Sequence, residues 1–194
     1  MSTCIDCTAL EAELRSTLSE KRLVHSLAVS QTCKELSFQY GEELDENILS
    51  ACGLMHDMAR EWDGQKLLSY AYDHSLVLED EEWAYPVLLH APVAADLLAK
   101  RGFPAQLCLA VRHHSLGSIA MGRMGLVLYL ADYLEPNRCH LDKQIRQQLL
   151  KAPTLERLCL LVMEMEGQYL QKKGKVRAKV SQTLYEYVQG GGRL

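Results

Sequence analysis

The sequence has few aromatic residues and no strong excess of either charge. Aromatic side chains make up 7% of the 194 residues, and 21 Lys and Arg stand against 25 Asp and Glu, which gives a net charge of −4. So balanced a charge gives no electrostatic reason to expect a nucleic acid or an anionic membrane as a partner. We therefore predict neither.

Long apolar runs are also missing. The longest, 126–130 and 158–163, fall far short of the ~18 apolar residues that a membrane-spanning helix needs. The stretch 1–14 lacks the basic region and apolar core of a secretory signal. These two absences predict a cytoplasmic protein without a membrane segment.

The seven cysteines are odd in number and show no spacing typical of a disulfide framework. Cys52, Cys108 and Cys159 lie in apolar helical patterns, which is typical of buried reduced thiols in a cytosolic protein. Cys4 and Cys7 form a CxxC pair, but no second pair or nearby histidine completes a zinc set. We expect this pair to be reduced and solvated, with no metal or redox role.

Helical periodicity dominates the chain. Leucines recur at positions 10, 14 and 18, and Asp45 is suited to cap the helix that follows it. Gly102 and Pro104 separate two further helical patterns, and Pro136 ends a third, over 126–134. A long helix starts near Thr154 and the last pattern covers 176–188, whereas the alternation typical of strands is absent. The sequence predicts an all-α fold with one core.

We divide the chain into three parts. An N-terminal segment, 1–20, leads into the first helices, and the main domain covers 21–189. A flexible tail, 190–194, contains three consecutive glycines. With 48% hydrophobic residues, a chain of this length can bury one full core, so we expect a single compact domain.

Histidine and aspartate carry the strongest indication of chemistry. His56 and Asp57 are adjacent at the end of an apolar helical pattern, where their side chains point about 100° apart, so further ligands must come from elsewhere in the chain. Asp132 follows the apolar run 126–131, in which a lone carboxylate would be costly without a partner or a metal. The other candidate ligands are His25, His90 and the pair His113-His114.

Nitrogen and oxygen ligands without thiolates suit Fe, Mn, Co, Ni or Zn. Any one of these histidines could instead be an isolated, hydrogen-bonded residue of the core or surface. For His74 and His140, which stand in polar surroundings outside any motif, we keep that interpretation.

The order of these residues resembles the HD-domain metal-dependent phosphohydrolases. Five blocks are similar to the YqeK family, symmetrical bis(5'-nucleosyl)-tetraphosphatases, and the most specific is Ala-Asp-Tyr-Leu-Glu-Pro-x-Arg. The resemblance covers about 14–188, and its blocks are 21–26, 53–60, 89–91, 114–117 and 130–138. It implies a compact HD-domain helical bundle over 21–189. It also implies hydrolysis of diadenosine tetraphosphate to two ADP by a metal-bridged hydroxide.

The resemblance further implies a dinuclear centre. One ion would be held by His25, His56, Asp57 and Asp132, and Asp57 would bridge to a second ion held by His90 and His114. Two divalent or mixed-valence transition-metal ions are implied, with iron expected and manganese, cobalt and nickel as alternatives.

The same resemblance places several residues near the substrate. Arg60 and Arg138 would act on the phosphates together with Asp57, and Ser115 and Gly117 would lie close to the substrate, as would His90 and His114. Arg60 stands where the family commonly has lysine, which keeps the charge and adds a fork suited to phosphate. His113 makes the histidine pair ambiguous, and alignment on the following Ser-Leu-Gly selects His114.

Three further residues have two interpretations each. Lys175 and Arg177 belong either to a solvated basic helix end or to a segment that holds the far phosphates. Tyr133 either packs in the core or stacks on an adenine.

Two alternative functions remain: another HD-type nucleotide phosphohydrolase, or a nucleotide-binding regulatory module without turnover. The expected partners are a small-molecule nucleotide substrate, diadenosine tetraphosphate, and its product ADP. A homodimer is left open.

Overall fold

The computed structural model describes residues 5–138 and 141–194, and every regular element within these ranges is helical. The first four longer helices are α1 (Cys7–Thr17), α2 (Glu20–Gln39), α3 (Glu46–Met55) and α4 (Gly64–Asp73). A short α5 (Asp80–Ala84) and a 3₁₀ turn (Pro86–Leu89) lead into α6 (His90–Lys100) and α7 (Ala105–His113). A second 3₁₀ turn (Ile119–Met121) precedes α8 (Gly122–Leu134), and the chain ends with α9 (Lys143–Leu149), α10 (Leu155–Lys172) and α11 (Lys179–Gln189). The predicted all-α class is confirmed.

Several of the predicted helix boundaries are present. The Asp45 carboxylate accepts hydrogen bonds from the backbone N–H groups of Asn47 and Ile48 at 2.9 and 3.0 Å, and so caps α3. Thr154 caps α10 in the same way through the N–H of Arg157, at 3.1 Å. The third predicted helix is longer than expected, because α8 begins at Gly122, and the last is shorter, because α11 begins at Lys179.

The core is built around α8, which is enclosed by α2, α3, α7 and α10. Residues 124–131 of α8 are all buried, so this helix has no solvent face over that stretch. The helices α2 and α3 cross closely at Gly53, where a Cβ would lie 2.5 Å from the Cα of Ser30. This close crossing brings the end of α3 next to the side chains of α2.

The three cysteines that the sequence predicts to be buried lie in the core or against it. Cys52 and Cys159 are buried and Cys108 is half-buried, and no disulfide joins any of the described cysteines. Burial raises the pKa of Cys52 and of Cys108, and it raises the pKa of Cys159 to about 12. Cys4, one half of the CxxC pair, lies outside the described residues, as does His140.

The N-terminal segment contributes to the same core, because Leu10 and Leu14 of α1 are buried against it. The proposed division at 20/21 and the flexibility of the tail stay predictions. Among the described helices, none combines the length and apolar character needed to cross a membrane.

Candidate metal centre

Five helices bring the candidate ligands together at one place. His25 lies in the second turn of α2, and His56 and Asp57 follow the last turn of α3. His90 begins α6, His114 follows α7 directly, and Asp132 lies in the last turn of α8. The four histidines and Asp57 are buried, and Asp132 is partly buried. The site is therefore formed where these five helices meet.

Three of the four histidines are oriented in the same way by the backbone. Nδ1 of His56, His90 and His114 lies 2.8, 2.6 and 2.8 Å from the carbonyl oxygen three residues earlier in the chain. A carbonyl oxygen only accepts, so each ring donates from Nδ1–H, which leaves Nε2 as the nitrogen that can bind a metal ion. This is the orientation that a metal-binding imidazole needs.

His25 is oriented by a side chain instead. Its Nδ1 lies 3.2 Å from Oε1 of Glu135, a buried carboxylate that also accepts the backbone N–H of Asn137 at 2.7 Å. Burial opposes ionisation of Glu135, but its bonds with His25 and Asn137 lower its pKa overall. Glu135 was not predicted as a site residue, although it lies three residues after Asp132 in the most specific block.

The first group of ligand atoms consists of His25, His56 and Asp132, whose donor atoms lie within 4.8 Å of one another. Asp132 Oδ1 is 3.0 Å from His25 Nε2 and 3.6 Å from His56 Nε2. Both Nε2 atoms are buried and lack a hydrogen-bond partner among the described residues. An unpartnered buried nitrogen facing a carboxylate is costly unless a cation lies between them. The donor set therefore fits a transition-metal ion.

The second group adjoins the first across Asp57. Asp57 Oδ1 lies 3.2 Å from His90 Nε2 and 3.7 Å from His114 Nε2, and the two Nε2 atoms are 3.1 Å apart. Since both rings donate from Nδ1, two lone pairs face each other at that distance. The Oγ of Ser115, 3.2 Å from His90 Nε2, lies at the same point.

Asp57 joins the two groups. Its Oδ2 lies 3.4 Å from His56 Nε2 and 3.5 Å from His25 Nε2, whereas Oδ1 faces His90 and His114. Burial opposes its ionisation, but the charge of His56 and bonds with His114, His56 and His90 hold the pKa of Asp57 well below its usual range. A carboxylate that stays ionised between two sets of nitrogen donors is suited to bridge two cations.

The electrostatic field at the first group favours positive charge. Burial lowers the pKa of His56, but the charge of Asp57 and the nearby carboxylate of Asp132 raise it overall to about 10. Burial likewise opposes ionisation of Asp132, yet the nearby side chains of His25 and His56 and the charge of Arg138 hold its pKa well below its usual range. The carboxylates thus favour positive charge on the histidine, and the histidines and Arg138 favour negative charge on the carboxylate.

Two arginines contact the carboxylates of this site, and a third lies three residues after Asp57 in the chain. Arg22, which was not predicted as a site residue, places Nη1 2.5 Å from Asp57 Oδ2. It lies one helical turn before His25 on the same face of α2, and this spacing was the signal that could have identified it. Arg138 contacts Asp132 through an ion pair and through Nε to the Asp132 carbonyl oxygen at 2.8 Å. Arg60 is half-buried and pairs with no carboxylate in the described part of the chain.

The other residues expected near the substrate fall into different surroundings. Gly117 has φ +71°, and a Cβ there would lie 2.7 Å from Cδ2 of Leu184 in α11, so the turn and this packing require glycine. Tyr133 is half-buried, and burial with the charge of Glu166 raises its pKa to about 12. Its contact with a substrate stays a prediction.

The basic segment with Lys175 and Arg177 connects α10 with α11. Arg177 donates from Nη2 to the carbonyl oxygen of Met163 at 2.6 Å, and its guanidinium carbon lies 4.5 Å from the centre of the Tyr185 ring. The structure thus packs Arg177 against α10 and α11. Lys175 is exposed, and its Nζ lies 4.9 Å from the centre of the Tyr85 ring.

Two histidines remain outside the set. His113 is half-buried, and burial together with the charge of Arg112 lowers its pKa to about 4. The ring of His74 stacks on Tyr70 with centroids 3.9 Å apart. Of the pair His113-His114, the structure brings His114 to Asp57.

Known proteins are similar to this chain in sequence. The HD domain family matches residues 22–137, more than half of the chain. The protein named symmetrical bis(5'-nucleosyl)-tetraphosphatase from Bacillus subtilis is 29% identical over 136 residues, which cover 64% of this chain and 67% of that protein. Its namesake from Halalkalibacterium halodurans is 31% identical over 123 residues, 62% of this chain and 64% of that protein.

Two further proteins differ in how much of them the chain covers. A probable nicotinate-nucleotide adenylyltransferase/Ap4A hydrolase of Mycoplasma genitalium is 27% identical over 128 residues, and the match spans only 35% of that protein. A crystal structure described as a predicted HD superfamily hydrolase involved in NAD metabolism from Clostridium acetobutylicum has a TM-score of 0.84 and 26% identity. It covers 96% of this chain and 98% of that chain.

All six candidate ligands lie within the matched range, since His25 is the first of them along the chain and Asp132 is the last. The predicted resemblance to HD-domain proteins is confirmed, and the similar proteins are named as tetraphosphatases or as hydrolases. This chain belongs to the HD domain family.

Proposed function

We propose that this chain is a metal-dependent hydrolase that splits diadenosine tetraphosphate, or a related dinucleoside tetraphosphate, symmetrically into two nucleoside diphosphates. The observation that carries the proposal is the position of Asp57, with one oxygen toward His90 and His114 and the other toward His25 and His56. The names of the Bacillus and Halalkalibacterium relatives support the choice of substrate and of symmetrical cleavage.

Two transition-metal ions are the proposed cofactors, with iron as the first expectation and manganese, cobalt and nickel as alternatives. Four imidazole nitrogens and two carboxylates form a set that suits any of these metals. Bound cations would act as Lewis acids on phosphate oxygens and lower the pKa of water, which supplies a nucleophile at neutral pH.

The chain's own residues position the reactants. Asp57 holds its two oxygens toward different histidine pairs, and Arg22 fixes Oδ2 through a hydrogen bond of 2.5 Å. Arg138 holds Asp132 from the opposite side. We assign Arg60, whose guanidinium has no carboxylate partner among the described residues, to the oxygens of the substrate phosphates.

Ser115 and the basic residues complete the proposed phosphate side. The Ser115 hydroxyl lies within 3.3 Å of Nε2 of both His90 and His114, so it can donate to an oxygen held there. We keep Arg138 and Lys175 as groups that neutralise the charge of a polyphosphate, and Tyr133 as a neighbour of the nucleoside. Arg177 is less available to contact a phosphate than Arg138 or Lys175, because its guanidinium already donates to the carbonyl oxygen of Met163.

A second candidate function is hydrolysis of a different nucleotide substrate that contains a phosphoanhydride bond. It is favoured by one observation: the structural neighbour at TM-score 0.84 is described as involved in NAD metabolism. The site residues would suit such a substrate equally well, because cleavage of any phosphoanhydride needs the same nucleophile and the same neutralisation of phosphate charge. Substrate comparison therefore decides between the two candidates.

The test is metal analysis followed by product chromatography on protein prepared without oxygen. We expect two transition-metal ions per chain and conversion of diadenosine tetraphosphate to ADP alone. Equal amounts of AMP and ATP would exclude symmetrical cleavage. Preferred turnover of a dinucleotide of the NAD type or of a mononucleotide would favour the second candidate, and tight nucleotide binding without metal-dependent turnover would favour a regulatory module.

Ligand variants test the role of the metals. Asp57→Asn should lower the occupancy of both ions and abolish turnover, because Asp57 faces both groups. His74→Ala is the matched control, since its ring stacks on Tyr70 away from the site. Retained turnover in both Asp57→Asn and His56→Ala would contradict the proposed metal-dependent reaction.

A further inference from the structure

An exposed aromatic segment leads directly into the metal centre. Trp83 in the last turn of α5 is 51% exposed, and Tyr85 and Val87, which lie between α5 and His90, are 49% and 46% exposed. Large apolar side chains in water are unfavourable, and a cluster of them next to a polar site is a common sign of a ligand surface. None of these three residues has a role in the reaction proposed above.

The backbone ties this segment to the site. The Tyr85 carbonyl oxygen accepts the N–H of Leu88 at 2.8 Å, and the Val87 carbonyl oxygen accepts His90 Nδ1–H at 2.6 Å. Pro86 begins the 3₁₀ turn between them. Five residues at the rise of a 3₁₀ helix separate Tyr85 from His90 by about 10 Å. A backbone spacing of this size is compatible with a nucleotide that has its phosphate at His90 and its base at Tyr85.

A buried ion pair holds the segment rigid. Glu82 is buried, and its two oxygens accept from Arg112 Nη1 at 2.6 Å and Nη2 at 2.8 Å. Arg112 also donates to the Val77 carbonyl oxygen at 3.0 Å. A paired, doubly hydrogen-bonded carboxylate fixes the end of α5 in place, so the ring of Tyr85 is presented by an ordered element.

The loop before α11 faces the same ring. Lys175 Nζ lies 4.9 Å from the centre of the Tyr85 ring, and the backbone N–H of Lys179 donates to Glu81 Oε1 at 3.2 Å. These contacts join the loop to α5. A cation beside a half-exposed ring is an arrangement that attracts both the π-face of a base and the phosphate attached to its nucleoside.

We propose that Tyr85, with Lys175 beside it, forms a stacking subsite for one nucleobase of the substrate. The inference rests on the proposed function, because the phosphates must be held near His90 for the base to reach Tyr85. Aromatic stacking accepts any base through its π-face, so the subsite selects nucleotides over base-free polyphosphates without selecting adenine over guanine.

The test compares binding of ADP with binding of pyrophosphate to the metal-loaded full chain by calorimetry. Tyr85→Ala should weaken ADP binding about tenfold, the loss expected from one stacking contact, and leave pyrophosphate binding unchanged. Tyr85→Phe and Tyr85→Trp should restore ADP binding. Phe38→Ala is the matched control, because Phe38 is 89% exposed at the far end of α2.

Two results would overturn the subsite. One is unchanged ADP binding in Tyr85→Ala. The other is an equal loss of ADP and pyrophosphate binding, since that would make Tyr85 a support for the phosphate site or for the fold. Failure of the proposed function looks different: the wild-type chain would then release no ADP from diadenosine tetraphosphate, whatever the affinity of the variants.

Discussion

Arg22 Nη1 lies 2.5 Å from Oδ2 of Asp57, the carboxylate oxygen that also faces His25 and His56. Arg22 and His25 are one turn apart on α2, so a single helix face delivers both a metal-binding nitrogen and a positive charge to the same carboxylate. The arginine is partly exposed and Asp57 is nearly buried. Arg22 thus connects the buried carboxylate with solvent.

The first prediction concerns this pair. Arg22→Gln should lower kcat/KM by about 10- to 100-fold, because it removes a charge-assisted hydrogen bond of about 1.5–3 kcal/mol. Two metal ions per chain should remain, since the six ligands are intact. Arg22→Lys should recover part of the loss. Kinetics with metal analysis provide the measurement, and Arg15→Gln, which removes an exposed arginine on α1, is the control. An Arg22→Gln chain without metal would show that Arg22 positions Asp57 for metal binding instead.

The second prediction concerns Glu135, which accepts from His25 Nδ1 at 3.2 Å. Glu135→Ala should weaken binding of one of the two ions by about 10- to 100-fold, the loss typical for the partner of a metal-binding histidine. The ion near His90 and His114 should be retained, because their Nδ1 atoms are held by backbone carbonyl oxygens. Competition with a chelator measures this difference.

Glu186→Gln is the control for Glu135, because Glu186 is an exposed carboxylate on α11. Equal weakening of both ions in Glu135→Ala would contradict the assignment of Glu135 to the first group. Unchanged binding of both would mean that His25 keeps its orientation without it.

The helices were predictable because their signals are local. Asp45 and Thr154 cap the helices that follow them, and Pro136 limits α8, as the sequence indicates. Such signals act over three or four residues and do not depend on the tertiary fold. The lengths of α8 and α11 were less predictable, because packing against the core sets where those helices begin.

The ligand types were predictable, but the contacts between ligands and their partners were not. Arg22 and Glu135 act on residues that are 35 and 110 positions away in the chain, and only the crossing of α2 with α3 and α8 brings them together. The sequence gives no partner for Arg177. In the structure its guanidinium packs against Gly167, where a Cβ would lie 2.7 Å from Nη2 of Arg177. Side-chain partners of this kind follow from tertiary packing.

The third prediction concerns the crossing at Gly53. Gly53→Ala should lower the free energy of unfolding by about 2–3 kcal/mol, because its Cβ would lie 2.5 Å from the backbone of Ser30, which cannot move independently. Urea unfolding measures the shift. Gly64→Ala is the matched control: its Cβ would meet Pro86 at an ordinary 3.4 Å, so the change should be within about 1 kcal/mol. Equal effects in the two variants would contradict the close crossing of α2 and α3.

The fourth prediction concerns Glu166 of α10, which accepts a hydrogen bond from the Tyr129 hydroxyl. Burial raises the pKa of Glu166 to about 7, although Tyr129 and the charge of Arg177 lower it and Asp132 raises it further. The ordinary value is 4.5, so the folded chain binds this proton more tightly than the unfolded chain. The stability that comes from the protonated carboxyl is therefore complete below pH 4.5 and is lost as the pH rises through about 7.

Glu166→Gln keeps the shape of the side chain without its ionisation, so its effect should depend on pH. At pH 5 the variant and the wild type should unfold with similar free energies, because the wild-type carboxyl is protonated in the folded chain. At pH 8 the variant should be more stable by about 1–3 kcal/mol, because a half-buried charge is no longer present. Urea unfolding at the two pH values measures the difference, with Glu186→Gln as the exposed control. A stability difference that is the same at both pH values would show that Glu166 does not titrate in this range.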